Sequence, residues 1–364
     1  MRKGRLGLAV IAPLAALLAG CGVALVVPGV TPSATGPRPP LAADLTDGTP
    51  LDLGSAGHWA VGAGRAFVAT ADGAVAALDL ATGATAWRTS FTRGEPWDAQ
   101  PTLGLSEDGT TVVGLRTVDA GGGAALDLLL LDAASGTPRE EYLLTDPAGK
   151  WTIDLPPRVL AADDATIVLA DNPEWGRQTA VVEVAGGRLA WRVEDQAVAA
   201  TSDTVVTRGG GWSRADGTHR WTAAAGLGPL LAQSPDAVVA RTGPSGSWLD
   251  PRTGTEFATT GVLDEVEPPC TATRDTMVCL GSEVTGYDLP SAERLWNSPE
   301  RAEAVAAVGD WVYLWREDGR GDVLDARTGQ AVILDAELPS VRYSDAEGAL
   351  FATDHGSAWV RFVR

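Results

Sequence analysis

The sequence predicts an all-β chain folded as an eight-bladed β-propeller of four-stranded antiparallel blades, with seven blades as the alternative count. Two patterns and their common period carry this expectation. Acidic turns run repeatedly into β-branched strands, as in Asp164-Ala165-Thr166-Ile167-Val168, Asp203-Thr204-Val205-Val206, Asp236-Ala237-Val238-Val239, Asp275-Thr276-Met277-Val278 and Asp310-Trp311-Val312-Tyr313. A Gly is followed by three residues and a Trp at Gly83/Trp87, Gly187/Trp191 and Gly217/Trp221, and Trp296 follows Ala292 in the same frame. Both patterns recur at about forty residues, the period of a four-stranded blade. One such unit cannot bury its own apolar face, so neighbouring units must stack.

The amino end comes first. Arg2, Lys3 and Arg5 precede an apolar run from Leu6 to Val30, the layout of an export signal. Leu18-Ala19-Gly20-Cys21 has the form of a bacterial lipobox, with Cys21 as the lipidated residue. Gly22–Val27 is apolar where residues after a lipobox are usually polar, and Leu6–Val27 is long enough to span a bilayer uncleaved. Both readings remain open for residues 1–27. In either case the basic end stays in the cytoplasm and the rest lies outside, so the expected location is the cell membrane, anchored, with the propeller on the extracytoplasmic side. Residues 28–43, rich in Pro, read as an extended linker, and residues 44–364 as the propeller.

The three cysteines suit that compartment. Cys270 and Cys279 flank a hairpin centred on Arg274-Asp275, and a symmetric turn there sets them opposite one another. Cross-strand Cα separations of about 4.5–5.5 Å fall within disulfide range, and closing so short a loop contributes about 2–3 kcal/mol. A metal site is the rival, but His58, His219 and His355 are isolated in sequence, so no metal is expected.

Second strands of the eight units are expected to start near Arg65, Thr110, Thr166, Thr204, Ala237, Thr276, Trp311 and Ala349. The first unit reads most clearly. Phe67–Thr70 is a strand, Asp72-Gly73 a hairpin turn, Val75–Leu80 a second strand, and Thr82-Gly83 a turn toward Trp87. The last unit has only three strands, Val341–Ser344, Ala349–Thr353 and Ser357–Val363. A missing fourth would leave a bare edge, and Thr49–Leu53 is placed to supply it and close the ring.

Asp72–Trp87, in the pattern DG-x-V-x-ALD-x-x-TG-x-x-x-W, resembles the pyrroloquinoline-quinone-type (PQQ-like) propeller repeat. The eight-bladed outer-membrane assembly lipoproteins of Gram-negative bacteria are similar in build. The resemblance spans roughly Asp44 to Arg364, strong in the first blade and degraded in the second, fifth and eighth. It implies that the outer-strand indoles Trp87, Trp191, Trp221 and Trp296 dock against neighbouring blades, where an indole buries much apolar area and keeps one polar handle.

Catalysis finds little support in the sequence. The quinoprotein dehydrogenases sharing this repeat resemble one another in a pair of adjacent cysteines, a bound calcium and an Asp base, whereas no two cysteines here are adjacent. Gly243–Trp248 reads as a strand-joining loop rather than a nucleophile elbow, and most carboxylates sit at turns, where Asp accepts from backbone N–H groups. No cofactor is expected, and the chain is read as non-enzymatic. A net charge of −19, from 28 Lys+Arg against 47 Asp+Glu, repels nucleic acid.

In an A–B–C–D meander the A–B and C–D turns share one face, and the B–C and D–A connections share the other. The long, irregular connections fall on the second face. They include Arg93–Trp97, Asp146–Pro157 with Trp151, and Asn172–Arg177 with Trp175. Trp97, Trp151 and Trp175 lie outside the repeat frame and are the candidate partner-binding residues. The expected function is a monomeric, membrane-anchored, extracytoplasmic, non-catalytic scaffold for a protein or cell-envelope partner. The alternative is an extracytoplasmic enzyme or sensor with a small ligand in the central channel.

Overall fold

Blade packing follows from which strands alternate and which do not. In blade one the third strand, Ala74–Asp79, is buried at every position but the last, while the outer strand, Thr85–Ser90, alternates between exposed and half-buried. A strand sandwiched between two neighbouring blades is apolar on both faces; only the outer strand faces water on one side. The computed structural model describes residues 39–40, 48–51, 53, 59–70, 72–93, 95–96, 101–119, 124–144, 157–170, 178–263, 269–299, 302–318, 320–344, 348–353 and 356–361. These form eight antiparallel sheets, each a meander of strands A to D from the inside outward.

Second strands begin at Arg65, Thr111, Thr166, Thr204, Val238, Thr276, Trp311 and Gly348, within one residue of the positions expected from the turns. The count is eight. Thr49–Leu51 pairs antiparallel with Gly356–Arg361, with Thr49 opposite Trp359 and Leu51 opposite Ser357. The amino-terminal strand thus supplies the fourth strand of the eighth blade.

Several C–D turns share one device. Asp79 Oδ1 accepts from the N–H groups of Ala81 and Thr82 at 3.0 and 2.9 Å, and Gly83 adopts φ +71°. Asp250 with Gly254 and Asp325 with Gly329 repeat it. In the sixth blade Ala292 takes the turn position at φ +60°.

Three features depart from the sequence expectation. Blade two has a fifth strand: Glu95–Pro96 pairs with Val118 and Asp119 on strand B, which runs nine residues, Thr111–Asp119. Second, Gly243–Trp248 is not a loop. Gly243 and Pro244 turn the chain, and Ser245–Leu249 is strand C of blade five. The Gly and Ser residues there hide a strand because its packing rests on one side chain, Trp248. Third, burial begins inside the stretch read as linker. Pro39 and Pro40 are buried, and the Tyr313 hydroxyl, in blade seven, donates to the Pro40 carbonyl at 2.5 Å. Proline rings carry apolar surface and little backbone entropy to lose, so such a segment docks readily.

Among the described residues no helix is long and apolar enough to cross a membrane. The anchor segment with Cys21 lies outside them, as does most of the linker.

Candidate functional site

One register position recurs at the interfaces between blades. In blade one Trp87 on the outer strand is paired with Ala77 on strand C, and its Nε1 donates to the Ala133 carbonyl of blade two at 3.1 Å. Its ring lies on Gly136, where a Cβ would come within 2.4 Å of the indole. Trp191, Trp221 and Trp296 repeat the arrangement, donating at 2.9 Å to the carbonyls of Arg214, Pro251 and Ala326 and lying on Gly217, Gly254 and Gly329. The turn glycine thus has two tasks: a positive φ and an open surface for the preceding blade's indole.

Where the outer strand lacks Trp, the strand beside it can supply the ring. Ala258 occupies the outer position in blade five, and its partner on strand C is Trp248. That indole is fully buried and donates to the Leu289 carbonyl of blade six at 3.1 Å. At the ring closure Thr49 faces Trp359, which is buried among Leu51, Val61 and Leu80. Blade seven carries Ile333 opposite Val323.

Blade two differs. Its outer position is Glu140, paired with Leu130. Tyr142 replaces the missing indole: its ring lies on Gly187 and its hydroxyl donates to the Val184 carbonyl at 2.8 Å. Coming from two residues further along the strand, it leaves the space in front of Glu140 unfilled. A cleft of about 210 Å³ remains there, lined by Val113, Leu130, Ala162, Ile167 and Val184, with Arg139, Glu140, Asp163 and Asp164 at its rim.

The face bearing the long connections was singled out by three tryptophans. Trp97, Trp151 and Trp175 lie outside the described residues. What is described is the start of the first crossover. Glu141 Oε1 accepts from the N–H groups of Thr92 and Arg93 at 2.7 and 3.0 Å. The Arg116 guanidinium lies 4.4 Å from the Phe91 ring centre and donates to the Arg93 carbonyl. Arg116 is paired in turn with Asp127, Nη2 to Oδ2 at 2.9 Å, both side chains buried. Burial pushes the Asp127 carboxyl up to about 6, against the pull of its Arg116 hydrogen bond, and its Oδ1 has no hydrogen-bond partner among the described residues. Leu143, Leu230 and Val262, among the exposed large apolar side chains, stand at the ends of their strands on this same face.

On the opposite face Arg214 ties three blades together. Almost fully buried, it donates to Glu107 Oε1 of blade two at 2.8 Å and to Thr166 Oγ1 of blade three at 2.9 Å, and pairs with Asp163 at 2.9 Å. Sequence reasoning missed it. The available signal was an arginine in a turn register that carries Leu80, Ala133, Leu289 and Ala326 elsewhere.

Cys270 and Cys279 are direct partners in the ladder and are joined by a disulfide, with Cα atoms 4.1 Å apart. Among the described residues no three His, Cys, Asp or Glu side chains gather as a metal site.

The family model of outer membrane protein assembly factor BamB matches residues 54–202. No curated protein matches the chain in sequence. Among solved structures, BamB from Moraxella catarrhalis superposes with a TM-score of 0.54 at 15% identity, covering 84% of this chain and 96% of that one. The computationally designed Ika8 protein gives 0.56 at 15% identity, over 87% and 98%. Sqt1 of Saccharomyces cerevisiae gives 0.50 at 10% identity, over 82% and 93%. At such identities the likeness establishes the fold. The chain is an eight-bladed β-propeller similar in fold to BamB, and its residues 54–202 match the BamB family model.

Proposed function

We propose that the chain is a membrane-anchored, extracytoplasmic, non-catalytic scaffold that binds a protein or cell-envelope partner through the face carrying the B–C and D–A connections. The observation that carries this reading is the anchored first crossover. Glu141, Arg116 and the buried Asp127 hold Thr92 and Arg93 in place, four residues before Trp97. A crossover whose first residues are hydrogen-bonded to a rigid sheet, beside the buried Arg116–Asp127 pair, loses little entropy on binding, which is the usual basis of a recognition surface. Exposed Leu143, Leu230 and Val262 on the same face add apolar contact area. The likeness to an assembly factor agrees with a scaffold role.

The test is capture of envelope proteins from the source cell by the full chain, run beside a variant with Trp97, Trp151 and Trp175 all changed to Ala. A partner retained by the parent and lost by a variant with unchanged circular dichroism supports the reading. Equal capture by both removes those three residues from it.

A further inference from the structure

We propose that the cleft between blades two and three takes one aromatic side chain of a partner protein, presented with a Lys or Arg beside it. This site lies on the face of the A–B and C–D turns, opposite the surface assigned above, and does not rest on that assignment.

The first argument is the register. At four interfaces the outer position opposite strand C holds an indole, Trp87, Trp191, Trp221 or Trp296, which fills the space toward the next blade. At a fifth, Trp248 fills it from strand C. Blade two has Glu140 opposite Leu130 in that position, and Tyr142 restores the hydrogen bond and the glycine contact without restoring the volume. An aromatic ring is thus what this molecule itself packs into the slot.

The second argument is size and lining. Val113, Leu130, Ala162 and Ile167 are almost fully buried and form an apolar floor to a cleft of about 210 Å³. An apolar cavity of about 150 Å³ already accepts a benzene ring.

The third is charge. Of the rim groups, Arg139 is turned to Thr111 Oγ1 at 2.8 Å and to Asp132 at 2.9 Å, and Asp163 is answered by Arg214 at 2.9 Å. Glu140 and Asp164 are exposed at the mouth. Two carboxylates beside an apolar slot, on a chain of net charge −19, favour an incoming ring flanked by cations over one flanked by acids.

The experiment is fluorine NMR titration of a capped Lys–Trp–Lys peptide carrying fluorotryptophan, against the full chain held in nanodiscs. Capped Lys–Ala–Lys, made with fluoroalanine, and Glu–Trp–Glu are the controls. Burying one large apolar side chain predicts at least about tenfold tighter binding of Lys–Trp–Lys than of Lys–Ala–Lys. Glu140→Trp, which fills the slot from within, is expected to abolish that binding. Changing the exposed Glu140 and Asp164 together to Lys, which leaves the core untouched, is expected to reverse the preference toward Glu–Trp–Glu. Equal binding of the Trp and Ala peptides, no binding of either, or undiminished binding to a folded Glu140→Trp variant each overturns the proposal. Envelope-partner capture through the opposite face is unaffected by Glu140→Trp, so failure here and failure of the scaffold assignment are separable.

Discussion

Trp221 stands directly over Gly211. The two are partners across strands C and D of blade four, and a Cβ on Gly211 would lie 2.1 Å from the indole nitrogen. Trp296 stands over Gly286 in the same way, with 2.3 Å to the ring. Ring and glycine form one volume, shared between two strands.

Gly211→Ala therefore pushes an indole whose Nε1 is fixed to the Pro251 carbonyl. Overpacking of this kind costs about 1–3 kcal/mol, read as a lower midpoint in denaturant unfolding. Shrinking the ring relieves it. The double variant Gly211→Ala with Trp221→Leu is expected to be more stable than the sum of the two single losses, a coupling that a double-mutant cycle measures. Strict additivity would show that the two residues do not share their space.

The same sharing predicts that an indole can change strands. Trp248→Ala in blade five empties a fully buried site and leaves the Leu289 carbonyl without its donor, at a cost of about 3–5 kcal/mol. Adding Ala258→Trp together with Ala292→Gly, which clears the blade-six turn position of its Cβ, puts the ring on the outer strand over an open glycine, as in blades one, three, four and six. Thermal unfolding is expected to recover more than half of the loss. No recovery would mean that the slot in blade five is shaped for a strand C side chain alone.

Much of the architecture was legible because its signals are local. An Asp whose carboxylate accepts from two N–H groups, followed by a Gly at positive φ, marks a C–D turn wherever it occurs, and a β-branched run after an acidic turn marks strand B. Eight strand starts could be placed within one residue on that basis. The closing strand was legible for a different reason, since the last unit was one strand short. What stayed hidden depends on a distant partner. Trp248 counts as a strand residue only once Ala258 is known to face it, and Arg214 is explained only by Glu107, Thr166 and Asp163. The cleft beside Glu140 exists because Tyr142 reaches Gly187 without filling the space in front of it. None of these relationships leaves a periodic trace in the chain.

Tyr313 offers a test of where the folded unit begins. Its hydroxyl is the described donor to the Pro40 carbonyl, and both groups are buried. Tyr313→Phe removes that hydrogen bond, and taking the donor from a buried acceptor costs about 1–3 kcal/mol. A chain beginning at Leu41 lacks the carbonyl altogether, and in that background Tyr313→Phe is expected to cost much less. Equal losses in the long and short chains, by chemical denaturation, would show that the hydroxyl acts within blade seven alone.

Asp127 should leave a signature in the pH dependence of stability. Its carboxyl is pushed from 3.8 up to about 6 in the folded chain, chiefly by burial. Between those values the folded state holds a proton that the unfolded chain has released, so the stabilisation this gives is full below about 4 and is lost as pH rises through 6. Asp72, Asp132 and Asp216 have the opposite sign. Hydrogen bonds to Thr70, Arg139 and Ser213 respectively are the main causes that hold them down to about 2, so their contribution is present above 3.8 and is lost as pH falls through 2. Asp127→Asn removes the first effect and leaves the others. The melting temperature of the parent minus that of Asp127→Asn is expected to grow as pH is lowered from 7.5 to 4.5, by an amount on the order of 2 kcal/mol when expressed as stability. A difference that stays flat across that window would place Asp127 in the ordinary carboxylate range and leave the anchored crossover without its buried acid.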